Sequence, residues 1–305
     1  QLAVFTGVVK KSVSLPVIKD ADDIWYCQRL LNEAFISLKQ HQSGPVHINI
    51  HLVGDTNALW NESAKKLRNV QARKINYVSV DDTEMWQRMA KILSGKKRII
   101  IVMGQDCSGD ENLHQALIQY CSYTQVPILL DNLSNFRCSQ MVWAEPVIKA
   151  LNANSIEEML PEVVITFGNN FQERIKDLLK AHQGKFEHWS IDQEGVVRDV
   201  FKSQTALFEC KPAYFFNYFT KNVIPTDGTY CHRWQELAGA IKLPEMPFTN
   251  FYTIKEFSRV IPKDSILHLS ILNATRLMQF FEIDPSIKVY SNVNSFGIDG
   301  CLPTF

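Results

Sequence analysis

Two periods of hydrophobic recurrence run along this chain. Trp25, Leu30, Leu31, Ala34, Phe35 and Leu38 recur at helical spacing behind Asp22 and Asp23, whose charges suit the positive end of a helix. After the Gly44-Pro45 break, Val46, Ile48, Ile50 and Leu52 alternate with His47, Asn49 and His51, which predicts a half-buried strand. Between Gly54 and Asn76 both periods lapse, so this stretch reads as a crossing between domains.

From about residue 84 the pattern becomes strand, turn, helix, repeated. The apolar run Arg98 to Met103 enters Gly104, and Glu111 to Tyr123 follows with Leu113, Leu117, Ile118 and Cys121 on one stripe. Val126 to Leu130 is a second strand. Val163 to Phe167 enters Gly168-Asn169-Asn170 ahead of a helix from Phe171 to Ala181, and Phe186 to Ile191 is a further strand. Continuous apolar strands alternating with helices predict an α/β fold whose central, doubly wound parallel sheet is covered on both faces. Helices over Tyr214 to Phe219 and Cys231 to Ile241 come next. A new α/β beginning then shows in Ser265 to Leu269, Ala274 to Phe281 and Lys288 to Tyr290.

Composition narrows the class. The 305 residues carry 32 basic and 32 acidic side chains, which argues against a nucleic-acid or anionic-membrane surface covering a whole face and leaves local anion pockets to be sought residue by residue. Cysteines at 27, 107, 121, 138, 210, 231 and 301 include no C-x-x-C pair and read as reduced core thiols. No apolar run approaches the ~18 residues of a spanning helix, and no signal pattern opens the chain, so a cytoplasmic location without a membrane span is expected. Gln1 and the terminal Cys301-Leu302-Pro303-Thr304-Phe305 both look cut, which points to a piece of a longer chain.

Chemical signals are sparse. Gly104 and Gly168 stand at strand-to-helix junctions where backbone N–H groups can hold a phosphate, yet neither belongs to G-x-G-x-x-G, and no P-loop motif occurs. Asp131 reads as a turn-capping residue, with a ribose-binding acid as the alternative. His47 and His51 share a strand face but stand about 13 Å apart, too far for one metal, and the other histidines show no ligand spacing. No metal ligand and no G-x-S-x-G nucleophile is found. In Ser291 to Gly300, two glycines bracket Ile298-Asp299, as a connector or as a turn that brings backbone close to a ligand. In Leu269 to Arg276 a strand opens into a helix whose first turn carries Arg276, either a surface residue or a carboxylate partner.

Taken together, Gly44-Pro-Val-His-Ile-Asn49 resembles the strand closing the pyrimidine-binding domain of thiamine-diphosphate enzymes. The Ser291-Asn292-(x)4-Gly297-Ile298-Asp299-Gly300 run is similar to the signature of their menaquinone-pathway family, the 2-succinyl-5-enolpyruvyl-6-hydroxy-3-cyclohexene-1-carboxylate synthases. Ser14-Leu-Pro16, Trp25-Tyr26 and Leu267-His-Leu269 fall in the matching order. The resemblance implies the tail of a pyrimidine-binding domain over 1–60, a central α/β domain over 61–212, a helical linker over 213–260 and the start of a diphosphate-binding domain over 261–305. It also implies a transferase using thiamine diphosphate and Mg²⁺, decarboxylating 2-oxoglutarate and adding the product to isochorismate, as a homodimer or homotetramer.

Residue by residue, it places Ile298 beneath the thiamine with Gly297 and Gly300 giving the turn, and Arg276 and, more loosely aligned, Lys202 at substrate carboxylates. The catalytic Glu and the Gly-Asp-Gly…Asn metal segment of the family are not matched, so no catalytic or metal residue is expected in this piece. Ile271-Leu272 stand where the family usually has Asn-Ser, and Val293-Asn294 where it has Arg-Gly. Each lost polar contact is worth roughly 1.5–3 kcal/mol. A divergent, non-catalytic relative acting as an interaction module is the alternative, with a nucleotide-binding α/β protein disfavoured by the missing glycines.

Overall fold

The computed structural model describes residues 2–5, 7–41, 43–51, 73–106 and 108–293. In the first unit, strand β1 (Lys11–Leu15) pairs in parallel with β2 (Val46–Ile50) across helix α1 (Ala21–Ser37). Asp22 and Asp23 lie in the first turn of α1, as expected, and Asp20, two residues before Asp22, caps the helix by accepting from Asp23 N at 2.9 Å. His47 and His51 bond the β1 serines, Ser12 and Ser14, at 2.9 and 2.8 Å.

The central sheet takes β3 (Asn76–Ser79), helix α2 (Thr83–Ser94), β4 (Ile99–Met103), α3 (Glu111–Thr124), β5 (Ile128–Leu130) and β6 (Met141–Trp143) in turn. The chain continues through α4 (Ala144–Ala150), α5 (Ala153–Met159), β7 (Val163–Phe167), α6 (Glu173–Ala181), β8 (Glu187–Ile191) and β9 (Gln204–Glu209). The seven strands lie in the order β3-β9-β8-β7-β4-β5-β6, all parallel. The expected doubly wound α/β fold is therefore present. Its edge strand β3 and the interior β9 escaped sequence detection because Asn76, Gln204, Thr205 and Glu209 interrupt their apolar pattern.

Both faces of the sheet are covered, as continuous apolar strands require. Ile99, Ile101 and Met103 of β4 face Trp86 of α2 and Leu117 and Tyr120 of α3, whereas Ile100 and Val102 face Val147 of α4 and Ile175 and Leu179 of α6. Two later helices complete these layers. Phe215, Phe216 and Phe219 of α7 (Pro212–Asn222) join the first face, and Tyr230 and Trp234 of α8 (Thr229–Ala240) join the second. Burying each of these large side chains contributes about 1.5–3 kcal/mol.

After α9 (Asn250–Val260), β10 (Ile266–Leu269), α10 (Asn273–Met278) and β11 (Lys288–Ser291) form a second β-α-β piece with parallel strands. Leu269, Met278, Ile283, Ile287 and Val289 enclose a small core with Leu133 of the central domain. The last unit is thereby seated on the segment that follows β5. Among the described residues, no helix is long and apolar enough to cross a membrane.

Candidate functional site

After β4 the chain steps to β5 and β6 on one side, and β7, β8 and β9 lie on the other, so the strand order reverses between β4 and β7. Open α/β sheets bind ligands at the carboxyl ends of the strands flanking such a reversal. Here those ends are Met103-Gly104 and Phe167-Gly168. Gly104 N donates to Phe167 O at 3.0 Å, and Gln105 and Asn169 pair in an antiparallel bridge, Asn169 N reaching Gln105 O at 3.2 Å. A Cβ on Gly104 would stand 2.2 Å from Asn169 O. The glycines serve the approach of one strand exit to the other, and the N–H groups that a phosphate would need are spent on that bridge.

Polar side chains tie the last unit over this point. Gln105 Nε2 donates to Ser291 O at 3.1 Å, and Asn170 Nδ2 donates to Gln105 Oε1 at 3.0 Å. Asn132 Nδ2 donates to Met278 O and Phe281 O at 2.9 and 3.1 Å, while its backbone N donates to Gln279 Oε1 at 2.8 Å. Asn132 and Gln279 are buried, at 0% and 3% exposure, so these bonds are shielded from competing water. Asp131 caps the same turn, accepting from Leu133 N at 2.8 Å. The turn-capping role expected of it is present, and burial pushes its carboxyl up to about 6.

Beside this seam lies a cleft of about 700 Å³ between the amino end of α6 and the β10–α10 segment. Arg276, Ile271, Leu272 and Val293, singled out from the sequence as one retained cation and three apolar departures, all line it. Arg276 and Leu272 are exposed. Leu272 has φ +65° and ψ −120°, a conformation that favours glycine, and its carbonyl accepts from Arg276 N at 2.8 Å to open α10.

The cleft also holds cations that sequence reading missed: Lys149 of α4 and Arg174 and Lys176 of α6. Arg174 Nε donates to Glu145 Oε1 at 2.6 Å, and Lys176 pairs with Glu173 at 3.0 Å. The Lys176 ammonium, with Arg276 adding to it, holds the Glu173 carboxyl below the usual range. Arg276 makes no ion pair among the described residues, which leaves its planar fork available to a carboxylate. The one local signal for Arg174 was its place in the first turn after the Gly168-Asn169-Asn170 strand exit.

Lys202 stands elsewhere. Its ammonium pairs with Asp22 of α1 and lies 5.2 Å from the centre of the Trp25 ring, and it does not line the cleft. Nearby, Asp199 is buried and receives Trp25 Nε1 at 2.8 Å and the guanidinium of Arg73, so this end of the sheet clamps the first unit. Gly297, Ile298 and Gly300 lie outside the described residues. Among the described residues no group of three or more His, Cys, Asp or Glu side chains is placed to hold a metal ion.

No family model matches the chain. Curated relatives do, along its whole length. It is 30% identical to a 2-succinyl-5-enolpyruvyl-6-hydroxy-3-cyclohexene-1-carboxylate synthase of Bacteroides fragilis, over 100% of this chain and 54% of the relative. Synthases of the same name from Phocaeicola vulgatus and Desulfotalea psychrophila are 27% and 28% identical over 99% and 98% of this chain and 54% and 55% of their own. A solved chain from Mycobacterium smegmatis overlaps 97% of this chain and 55% of its own at 14% identity and a TM-score of 0.45, a likeness that carries no argument. The resemblance carried by the two motifs thus extends over the full chain, which spans about half the length of the curated relatives it matches.

Proposed function

We propose that this chain is part of a thiamine-diphosphate-dependent transferase that decarboxylates 2-oxoglutarate and joins the resulting carbanion equivalent to isochorismate, in menaquinone biosynthesis. The observation that carries this reading is the match, along the whole of this chain and about half of each relative, to synthases so named. When bound, thiamine diphosphate supplies the carbanion chemistry, and the protein supplies placement and charge. Both substrates carry two carboxylates, and the cleft suits them. Arg276 takes one carboxylate in a bidentate grip, and Lys149 and Arg174 lower the cost of bringing a second negative charge beside it.

The cofactor contacts in this reading are Gly297, Ile298 and Gly300, with Mg²⁺ and its ligands elsewhere in the full-length protein. A homodimer or homotetramer follows from the same resemblance. The free thiols of Cys27, Cys121, Cys138, Cys210 and Cys231 support a reducing, cytoplasmic compartment.

A second reading, a relative that no longer makes this product, is favoured by Ile271, Leu272 and Val293 standing together in the cleft wall. One assay on the full-length protein separates them, following CO₂ release from 2-oxoglutarate and loss of isochorismate in parallel. The synthase reading expects both. Release of CO₂ without isochorismate loss would replace the acceptor, and neither signal would leave the non-catalytic relative.

A further inference from the structure

Two glutamine amides in the wall of the cleft carry hydrogen-bonding groups that the described residues leave unused. Gln279, at the carboxyl end of α10, is 3% exposed, and its Oε1 accepts from Asn132 N at 2.8 Å. A backbone N–H can only donate, so this contact fixes which end of the amide is oxygen and turns Nε2 the other way. Nε2 has no partner among the described residues. Gln172 stands at the start of α6, where its side chain makes no cap bond, and its Nε2 and Oε1 are both buried and unpartnered among the described residues. Buried polar groups are ordinarily bonded.

Both glutamines line the cleft, from its two sides. Arg276 and Gln279 are three residues apart and share one side of α10, and Arg276 comes near enough to Glu173, the residue after Gln172, to act on its carboxyl. The two amides therefore flank the guanidinium. Gln172, bonded to nothing through its amide among the described residues, is free to turn, whereas Gln279 is held by Asn132.

From this arrangement we propose that Gln279 and Gln172 hold a hydroxyl group of the ligand whose carboxylate Arg276 takes, Gln279 Nε2 donating to the hydroxyl oxygen and Gln172 Oε1 accepting from it.

The choice of group follows from counting donors and acceptors. A carboxylate or keto oxygen only accepts, and it leaves Gln172 Oε1 unpartnered whichever way that amide is turned. An ammonium only donates, which Gln279 Nε2 cannot answer. A hydroxyl does both, and it leaves Gln172 Nε2 for the carboxylate beside it. A site built to bond a hydroxyl rejects the analogue lacking it, because its own polar groups are then left unpaired. In the function proposed above, on which this naming rests, the ligand is isochorismate, whose hydroxyl sits on the carbon beside the one bearing a carboxylate. 2-Oxoglutarate has no hydroxyl, so the amides tell the two dicarboxylates apart.

The test titrates the full-length protein calorimetrically with 3-hydroxyglutarate and with glutarate, two dicarboxylates that differ by one hydroxyl in that same position. The hydroxylated probe should bind about tenfold more tightly. Gln279→Met and Gln172→Met should each bring the ratio of the two affinities near one, whereas a residue that only stabilises the fold would change both affinities alike. Should Gln279→Met fail to fold for want of the Asn132 contact, Gln172→Met, which breaks no side-chain bond among the described residues, gives the same reading. Equal affinities in the wild type, binding of neither probe, or a preference that survives in Gln172→Met would each overturn the proposal. The CO₂ and isochorismate assay is read separately. A hydroxyl preference without isochorismate loss keeps this site and removes the synthase reading, and isochorismate loss without the preference does the reverse.

Discussion

Asn135 holds Val289 by a reciprocal pair of hydrogen bonds, its Nδ2 donating to Val289 O at 2.9 Å and its Oδ1 accepting from Val289 N at 2.8 Å. The amide mimics a neighbouring strand and pairs the exposed side of β11 as a ladder would. Asn135 has φ +49°, a conformation asparagine tolerates better than most residues. Replacing it by alanine removes both bonds and leaves the strand's groups unpaired, at about 1–3 kcal/mol. The expected outcome for Asn135→Ala is faster amide exchange at Val289 than in the wild type, with exchange in β4 and β7 unchanged. Equal protection at Val289 would show that β11 does not depend on this contact.

Gly104 and Asn169 define a second dependence. A methyl group at Gly104 would stand 2.2 Å from Asn169 O, and that neighbour is backbone with no flexible end to swing away. Gly104→Ala should therefore cost several kcal/mol, of the order reserved for overpacking and backbone strain. Gly109→Ala, with nothing within 4 Å of its Cβ but φ +60°, isolates conformational strain alone and should cost about 1 kcal/mol. Urea unfolding of the two variants checks the difference. Comparable midpoints would remove the steric account of the strand-exit bridge.

Leu272 offers the opposite change. Its backbone conformation suits glycine and its side chain is 52% exposed, so Leu272→Gly gives up little burial and relieves strain. An increase in stability of about 1 kcal/mol is expected, read as a higher melting temperature. A lower one would mean that the leucine side chain stabilises the cleft wall by more than its strain.

Two buried groups set opposing pH dependences. Burial holds His188 down to about 3, with Thr166 Oγ1 at 2.9 Å from its Nε2 and Nδ1 unpartnered among the described residues. Its unfolded value is near 6.5, so it contributes stability that is present above about 6.5 and lost as pH falls towards 3. Burial raises Asp131 from 3.8 to about 6, so its contribution is present below about 3.8 and lost as pH rises through 6. Between about 4 and 6 the unfolded chain binds a proton at His188 while the folded chain binds one at Asp131, and the two slopes cancel. Asp131→Asn should expose an acid-side loss beginning near 6.5, seen as a steeper fall of stability between 6 and 4 than in the wild type. An unchanged profile between those pH values would place the Asp131 carboxylate in its ordinary ionised state.

Arg276 and Val293 test the cleft itself in the full-length protein. Arg276 is exposed and free of ion pairs among the described residues, so Arg276→Ala should leave the melting temperature unchanged. Its cost should be about 2 kcal/mol in kcat/KM for one dicarboxylate, roughly thirtyfold. Val293→Arg should lower KM for isochorismate by restoring a guanidinium to the wall. With 2-oxoglutarate and isochorismate varied separately, an inert Arg276→Ala would remove its carboxylate role.

The sequence by itself determined what depends on near neighbours. The apolar runs at 99–103 and 163–167 become buried strands because any chain with that pattern must cover both faces, and the helix over 111–124 follows from its stripe. The motif around Arg276 was legible for the same reason, since strand, turn and helix start lie within eleven residues. Tertiary structure alone decided which distant groups meet. Arg174 and Arg276 are a hundred residues apart in the chain and share one cleft because the strand order reverses between β4 and β7 and the last unit docks there. Lys202 went to Asp22 and Trp25 instead, and its local sequence could not show this, because its partner comes from α1, on the far side of a segment with no periodic signal. Hydrophobic period is a property of consecutive residues, whereas the pairing of charges depends on where strands cross.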